Sequence, residues 1–156
     1  MRLKEFISEK GITYFASVSS KKRALEILSE SLAEQHSSLI KGKILDALLA
    51  REKLGSTGLG NGIAIPHCRI SELEEIHVAM LKLDEGVEFE APDGLPVTFL
   101  FCMIVPPEEA AEDHLQLLAN LAELLDNKQV RKSIEKCEDV KCLYQLLCQI
   151  PKYLAA

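Results

Sequence analysis

The sequence predicts an α/β fold: one domain in which helices cover a β-sheet. Three observations lead there. Short apolar runs of strand character alternate with stretches whose apolar residues recur at helical spacing. One run, Ile76 to Leu83, is apolar on both of its faces, which requires cover on both sides. No internal repeat or linker divides the chain, and 156 residues make one ordinary domain.

Leu3, Phe6 and Ile7 suggest a short opening helix that Gly11 ends. Ile12-Thr13-Tyr14-Phe15 reads as a strand. Ser19-Ser20 precede a helix whose Leu25, Leu28 and Leu32 share a face. A second helix is expected near Lys43 to Leu54, with Ile44 and Leu48 on one face, Arg51 in its last turn and Gly55 as the stop. Ile63-Ala64-Ile65 forms a short strand ending at His67. In the next strand Ile76, Val78, Met80 and Lys82 face one way, and His77, Ala79, Leu81 and Leu83 the other. Gly86 marks a turn before Val87-Glu88-Phe89. Val97 to Val105 is the most buried strand, and Pro106-Pro107 end it. Asp113 with Gln116 resembles a capping box, so Asp113 is expected at the N-cap and His114 as the first helical residue. Short helices over Val130–Lys136 and Val140–Ile150 complete the chain, the latter stopped by Pro151.

Bulk properties narrow the function. A net charge of −6 and a pI near 5.3 speak against nucleic acid, which wants a basic patch. Residues 1–10 mix charged and apolar side chains without an apolar block, so no signal peptide is expected. The longest apolar run is too short to cross a bilayer. Cys68, Cys102, Cys137, Cys142 and Cys148 show no C-x-x-C spacing. Together these features suggest a cytoplasmic protein with reduced thiols.

The chemistry concentrates between Arg51 and His67. Four glycines within the eight residues from Gly55 to Gly62 allow tight turns and place several N–H groups in one small space. Thr57, Gly58, Leu59, Gly60, Asn61 and Gly62 are therefore candidate donors to an anion. The loop follows a helix and precedes a strand, the reverse of a dinucleotide fold, and lacks the lysine of a P-loop. His67 follows Pro66 at a strand end. Its ordinary pKa leaves much of it neutral, and a neutral ring nitrogen can attack phosphorus while the other donates to a carbonyl. Arg51 near the loop suits phosphoryl oxygens. His114, at a helix start, offers a second imidazole. A metal site built from His67, Cys68, His77 and His114 competes, although adjacent His67-Cys68 chelates poorly. Without a resolving cysteine Cys68 reads as a bystander. A surface that only docks partners, with His67 inert, stays open.

The run from Arg51-Glu52-Lys53-Leu54 to Ile65-Pro66-His67 closely resembles the signature of the fructose/mannitol-type IIA domain of the bacterial phosphoenolpyruvate-dependent phosphotransferase system. Asp113-His114-Leu115-Gln116-Leu117-Leu118 matches a second motif. Ser19-Ser20-Lys21-Lys22-Arg23-Ala24-Leu25-Glu26 resembles the nitrogen-regulatory branch. The resemblance implies a mixed parallel/antiparallel β-sheet flanked by helices on both faces, over residues 1–156 as a single IIA domain. It implies that His67 accepts phosphoryl from a histidine phosphocarrier protein, on the nitrogen remote from the backbone. His114 then lies beside His67 and Arg51 supports the phosphoryl group, with no cofactor and no metal. Regulatory target proteins or a IIB domain would be the onward partners, without nucleic acid or membrane insertion. Mannitol-type members carry glutamate at the position of Asn61 and usually glycine at that of Cys68, so this chain departs from them at both.

Overall fold

The computed structural model describes residues 5–107 and 111–149, with the backbone alone at 111–114. A 3-10 turn at Glu9–Gly11 leads into β1 (Ile12–Phe15), α1 (Lys21–Gln35) and α2 (Lys41–Lys53). Four strands follow in quick succession: β2 (Gly58–Gly60), β3 (Ile63–Ala64), β4 (His67–Arg69) and β5 (His77–Val87). Then come β6 (Val97–Val105), α3 (Ala111–Asp126), α4 (Lys128–Lys136) and α5 (Val140–Gln149).

The strands make one mixed sheet in the order β1-β5-β6-β3-β2, with β4 also paired to β6. β5 and β6 run antiparallel, whereas β1 is parallel to β5, and β3 and β4 are parallel to β6. Alternation along the two central strands creates two cores. Val78, Met80, Phe99, Phe101 and Met103 pack with Leu121 and Leu125 of α3, Ile134 of α4 and Leu143 of α5. Ala79, Leu81, Leu100, Cys102 and Ile104 pack with Leu25, Leu28 and Leu32 of α1 and Ile44 and Leu48 of α2. Helices therefore cover both faces, as expected. Lys82 keeps the register of Val78 and Met80 and so enters the α3–α5 side, buried at 6% exposure.

α1 begins as the sequence predicts. Ser20 is extended, and its hydroxyl accepts from the Arg23 amide at 3.0 Å. α2 starts two residues earlier than expected, at Lys41.

Several expectations need correction. Phe6 and Ile7 are not in an α-helix; Ile7 is buried against the α5 side, Glu5 and Glu9–Gly11 are in 3-10 conformation, and Leu3 lies outside the described residues. So short a segment gains little from helix formation alone. Asp113 does not cap α3, because the helix already includes Ala111 and Glu112, both good helix formers; His114 is its fourth residue. The end of the last helix and Pro151 also lie outside the described residues. Nor is Gly86 a turn. β5 runs through it to Val87 with a register shift between Lys82 and Val87. A Cβ at Gly86 would stand 2.6 Å from Pro96 Cβ, so glycine serves there to let the two strands approach. Finally, the thiols are not all reduced: Cys137 and Cys142 are disulfide-bonded, with Cα atoms 5.5 Å apart across the α4–α5 turn. Sequence spacing alone does not reveal that approach, because the turn capped by Asp139 creates it.

Gly86→Ala is expected to destabilise the protein by about 1–3 kcal/mol through overpacking against Pro96. Gly42→Ala, in the first turn of α2 with open space around the added methyl, should instead be neutral or gain about 0.4–1 kcal/mol. Urea denaturation of the two variants measures the contrast.

Candidate functional site

α2 ends in Arg51-Glu52-Lys53, and the two side chains at 51 and 52 take opposite directions. Arg51 Nη1 donates to the Gly55 carbonyl at 2.8 Å, which folds the guanidinium over the helix end. Glu52 turns inward and is buried. Its carboxylate accepts from the Thr57 amide at 3.1 and 3.3 Å and from the Thr57 hydroxyl, and it pairs with Lys21 Nζ at 2.6 Å. Lys21 also lies 4.7 Å over the Phe89 ring. A carboxylate in the last turn of a helix opposes the macrodipole. Here it is held by a cation from the start of α1 and by the loop it anchors.

The glycine-rich loop leaves α2 from that anchor. Gly60, Asn61 and Gly62 all have positive φ, at 93°, 57° and 81°, which turns β2 back onto β3. The loop's amides differ from the expected cradle. Thr57 N donates to Glu52, Gly58 N to the Ser56 hydroxyl at 3.0 Å, and Asn61 N to Asp93 at 2.7 Å. These three donors are engaged within the protein and shape the hairpin.

β3, Pro66 and β4 then ride along one edge of β6. Pro66 interrupts the strand, but its carbonyl still accepts from Met103 N at 2.9 Å, so the line continues to His67 beside Met103. His67 is half-buried. Its Nδ1 lies 2.8 Å from the Ile65 carbonyl oxygen. A carbonyl only accepts, so Nδ1 carries the proton and Nε2 keeps its lone pair. The His67 pKa is lowered from the usual value, chiefly by burial and further by the Arg51 charge, against the raising effects of the Ile65 hydrogen bond and of Glu52. The ring is thus biased to the neutral form.

His67 lines a cavity of about 330 Å³ together with Arg51, Arg69, Leu54, Leu115 and Leu118. Arg69 was not anticipated. It stands two residues after His67 on β4, hence on the same side of the strand, and the period of two was the signal that could have found it. Its Nη1 donates to the Pro107 carbonyl at 3.2 Å. Glu52 was also passed over, although an acidic residue in a helix's last turn is itself an anomaly worth reading. The structure brings Arg51 and His67 together. For His114 it gives the backbone position on α3, in the helix whose Leu115 and Leu118 border the cavity. Residues 57–62 do not line it.

The alternatives fare differently. Cys68 has its thiol pushed up to about 12 by burial, so it is a protonated, unreactive neighbour. His77 lies across the sheet from His67, against His36 at 3.7 Å between ring centres. No group of three or more His, Cys, Asp or Glu side chains suited to one metal ion occurs among the described residues.

A neutral imidazole with one free nitrogen, lining a cavity that two arginines also line, has the chemistry of a nucleophile beside an anion site. The chain belongs to the phosphoenolpyruvate-dependent sugar phosphotransferase system EIIA 2 family, whose model matches residues 5–150. Within it the chain is similar to nitrogen regulatory proteins. It is 45% identical over 131 residues to the nitrogen regulatory protein of Pseudomonas aeruginosa, covering 84% of each chain. It is 35% identical to that of Bradyrhizobium diazoefficiens, covering 97% of each. The crystal structure of nitrogen regulatory protein IIA-Ntr from Neisseria meningitidis superposes with a TM-score of 0.86 at 37% identity, over 93% of this chain and 98% of that one. IIA mannitol from Escherichia coli shares the fold at a TM-score of 0.74 and 24% identity, over 90% of this chain and 98% of its own.

Arg51→Gln is expected to raise the His67 pKa, because it removes a like charge that disfavours the imidazolium. An NMR pH titration should place the wild-type His67 midpoint below 6.5 and move it upward in the variant. Glu52→Gln is expected to cost about 2 kcal/mol in urea denaturation, since Lys21 and the Thr57 amide lose their charged partner.

Proposed function

We propose that this chain is a regulatory phosphoryl carrier, which accepts a phosphoryl group on His67 Nε2 from a histidine phosphocarrier protein in the cytoplasm and signals by its phosphorylation state. The observation that carries the reading is the Nδ1–H hydrogen bond to Ile65, which leaves the Nε2 lone pair free on a ring that lines a cavity with Arg51 and Arg69. The lone pair attacks phosphorus in line, and the donor's P–N bond breaks with its electron pair returning to the donor ring. A donor ring that is protonated on its other nitrogen leaves as neutral imidazole. His67 keeps its Nδ1 proton on the Ile65 carbonyl, and the phosphorylated ring takes over the positive charge. Arg51 supports the equatorial oxygens, and His114 is the second imidazole at the site. The loop from Thr57 to Gly62 acts mainly by positioning β3 and His67. The family membership and the similarity to nitrogen regulatory proteins support this assignment.

The added charge of about −1.5 to −2 would sit within a rim that exposes Leu54 and Leu115. A partner docking apolar groups on that rim would therefore distinguish the two forms. A sugar-route reading, with onward transfer to a IIB cysteine, has one observation in its favour. The chain is 34% identical to the fructose-specific EIIA component of Haloferax volcanii over 84% of its length. Phosphoryl transfer to a IIB domain would select that reading.

Incubation with phosphoenolpyruvate, the first enzyme of the system and the phosphocarrier should add one phosphoryl group, read by intact mass. His67→Ala should add none, and a phosphorylated His67→Ala protein would overturn the assignment. Arg51→Gln should slow the transfer by roughly 10²-fold, as loss of one preorganised donor does elsewhere.

A further inference from the structure

A second cavity, of about 290 Å³, opens between the sheet edge and α4 on the same side of the sheet as His67. The sheet and its edge contribute Lys82, Thr98 and Asn61, and α4 contributes Lys128, Arg131, Lys132 and Glu135. Four cations against one carboxylate is the reverse of the chain's net charge of −6. Register separates this cleft from the His67 site. Lys82 pairs with Phe99, whereas His67 pairs with Met103, four positions further along β6 or about 13 Å.

Lys82 is the anomaly at its floor. The ammonium is buried, and its partners are neutral: the Cys137 carbonyl at 2.9 Å, the Glu135 carbonyl at 3.3 Å and the Tyr14 hydroxyl at 3.4 Å. No carboxylate pairs with it among the described residues. A buried charge is ordinarily matched by an opposite one. Lys128 and Lys132 stand one turn apart on α4, exposed and without an ion pair among the described residues. Arg131 is already engaged, donating to the Leu125 carbonyl at 3.5 Å and to the Asp126 carbonyl at the end of α3 and pairing with the Asp126 carboxylate at 3.6 Å, so the lysines carry the free charge. Thr98 and Asn61 supply neutral polar groups opposite the lysines.

We propose that this cleft is a binding site for a small phosphate-bearing anion, distinct from the site at His67 and independent of whether His67 accepts phosphoryl. The volume lies near the lower end of ligand pockets, which suits a small solute rather than a polymer. Lys128 and Lys132 take the outer charges, and the unmatched Lys82 ammonium supplies the field from below. Because Arg131 holds the carboxyl end of α3, occupancy of the cleft touches an element that also frames the His67 cavity through Leu115 and Leu118.

The test is a titration of the full chain with pyrophosphate at constant ionic strength, followed by backbone amide NMR. The expected result is saturable shifts at Asn61, Lys128 and Lys132 that persist in Arg51→Gln. In Lys128→Gln/Lys132→Gln the affinity should fall at least about tenfold, equivalent to roughly 1.4 kcal/mol, with the remaining spectrum unchanged. Shifts confined to the surroundings of His67, a non-saturating response, or equal affinity in the double variant would each overturn the proposal.

Discussion

The hydrogen bond from His67 Nδ1 to the Ile65 carbonyl decides what this site can do. It spans only two residues, and it forms because Pro66 breaks the strand between them without breaking its alignment on β6. With Nδ1 so occupied, the imidazole has one fixed tautomer and one nitrogen with a free lone pair. Burial then keeps the ring neutral, and Arg51 adds to that bias while facing the same cavity. One arginine thus has two compatible effects: it disfavours a proton on His67 and favours an anionic group arriving there.

The support for this arrangement reaches well beyond the cavity. β6 is buried on both faces, so every residue of β3 and β4 is placed against a strand that cannot shift without disturbing two cores. Behind the glycine-rich loop, Glu52 links the end of α2 to Thr57 and to Lys21 at the start of α1. The loop's geometry is therefore held by a charged network on its inner side, while the glycines and Asn61 supply only the backbone conformations that it needs.

Much of the fold was legible in the sequence because period and burial agree there. The two faces of β5 separated at Val78/Met80 and Ala79/Leu81 as the alternation indicates, and β6 matched its apolar run. The errors fell where tertiary contact overrides local signals. Gly86 reads as a turn, but its missing Cβ accommodates Pro96. Asp113 reads as a cap, but the residues before it continue the helix. At the site, His67 and Arg51 were visible through their motif. Arg69 and Glu52 were less so, since one needed the strand's period and the other a partner at Lys21, far away in sequence. The Cys137–Cys142 bond and the lysine-lined cleft arise from how α4 and α5 meet each other and the sheet. Local spacing does not encode that.

The most direct measurement is ¹⁵N NMR of the His67 ring before and after phosphorylation. The expected result is a proton on Nδ1 in the free protein, and phosphorus coupled to Nε2 with Nδ1 still protonated afterwards. A free ring protonated on Nε2, or phosphorus attached to Nδ1, would contradict it.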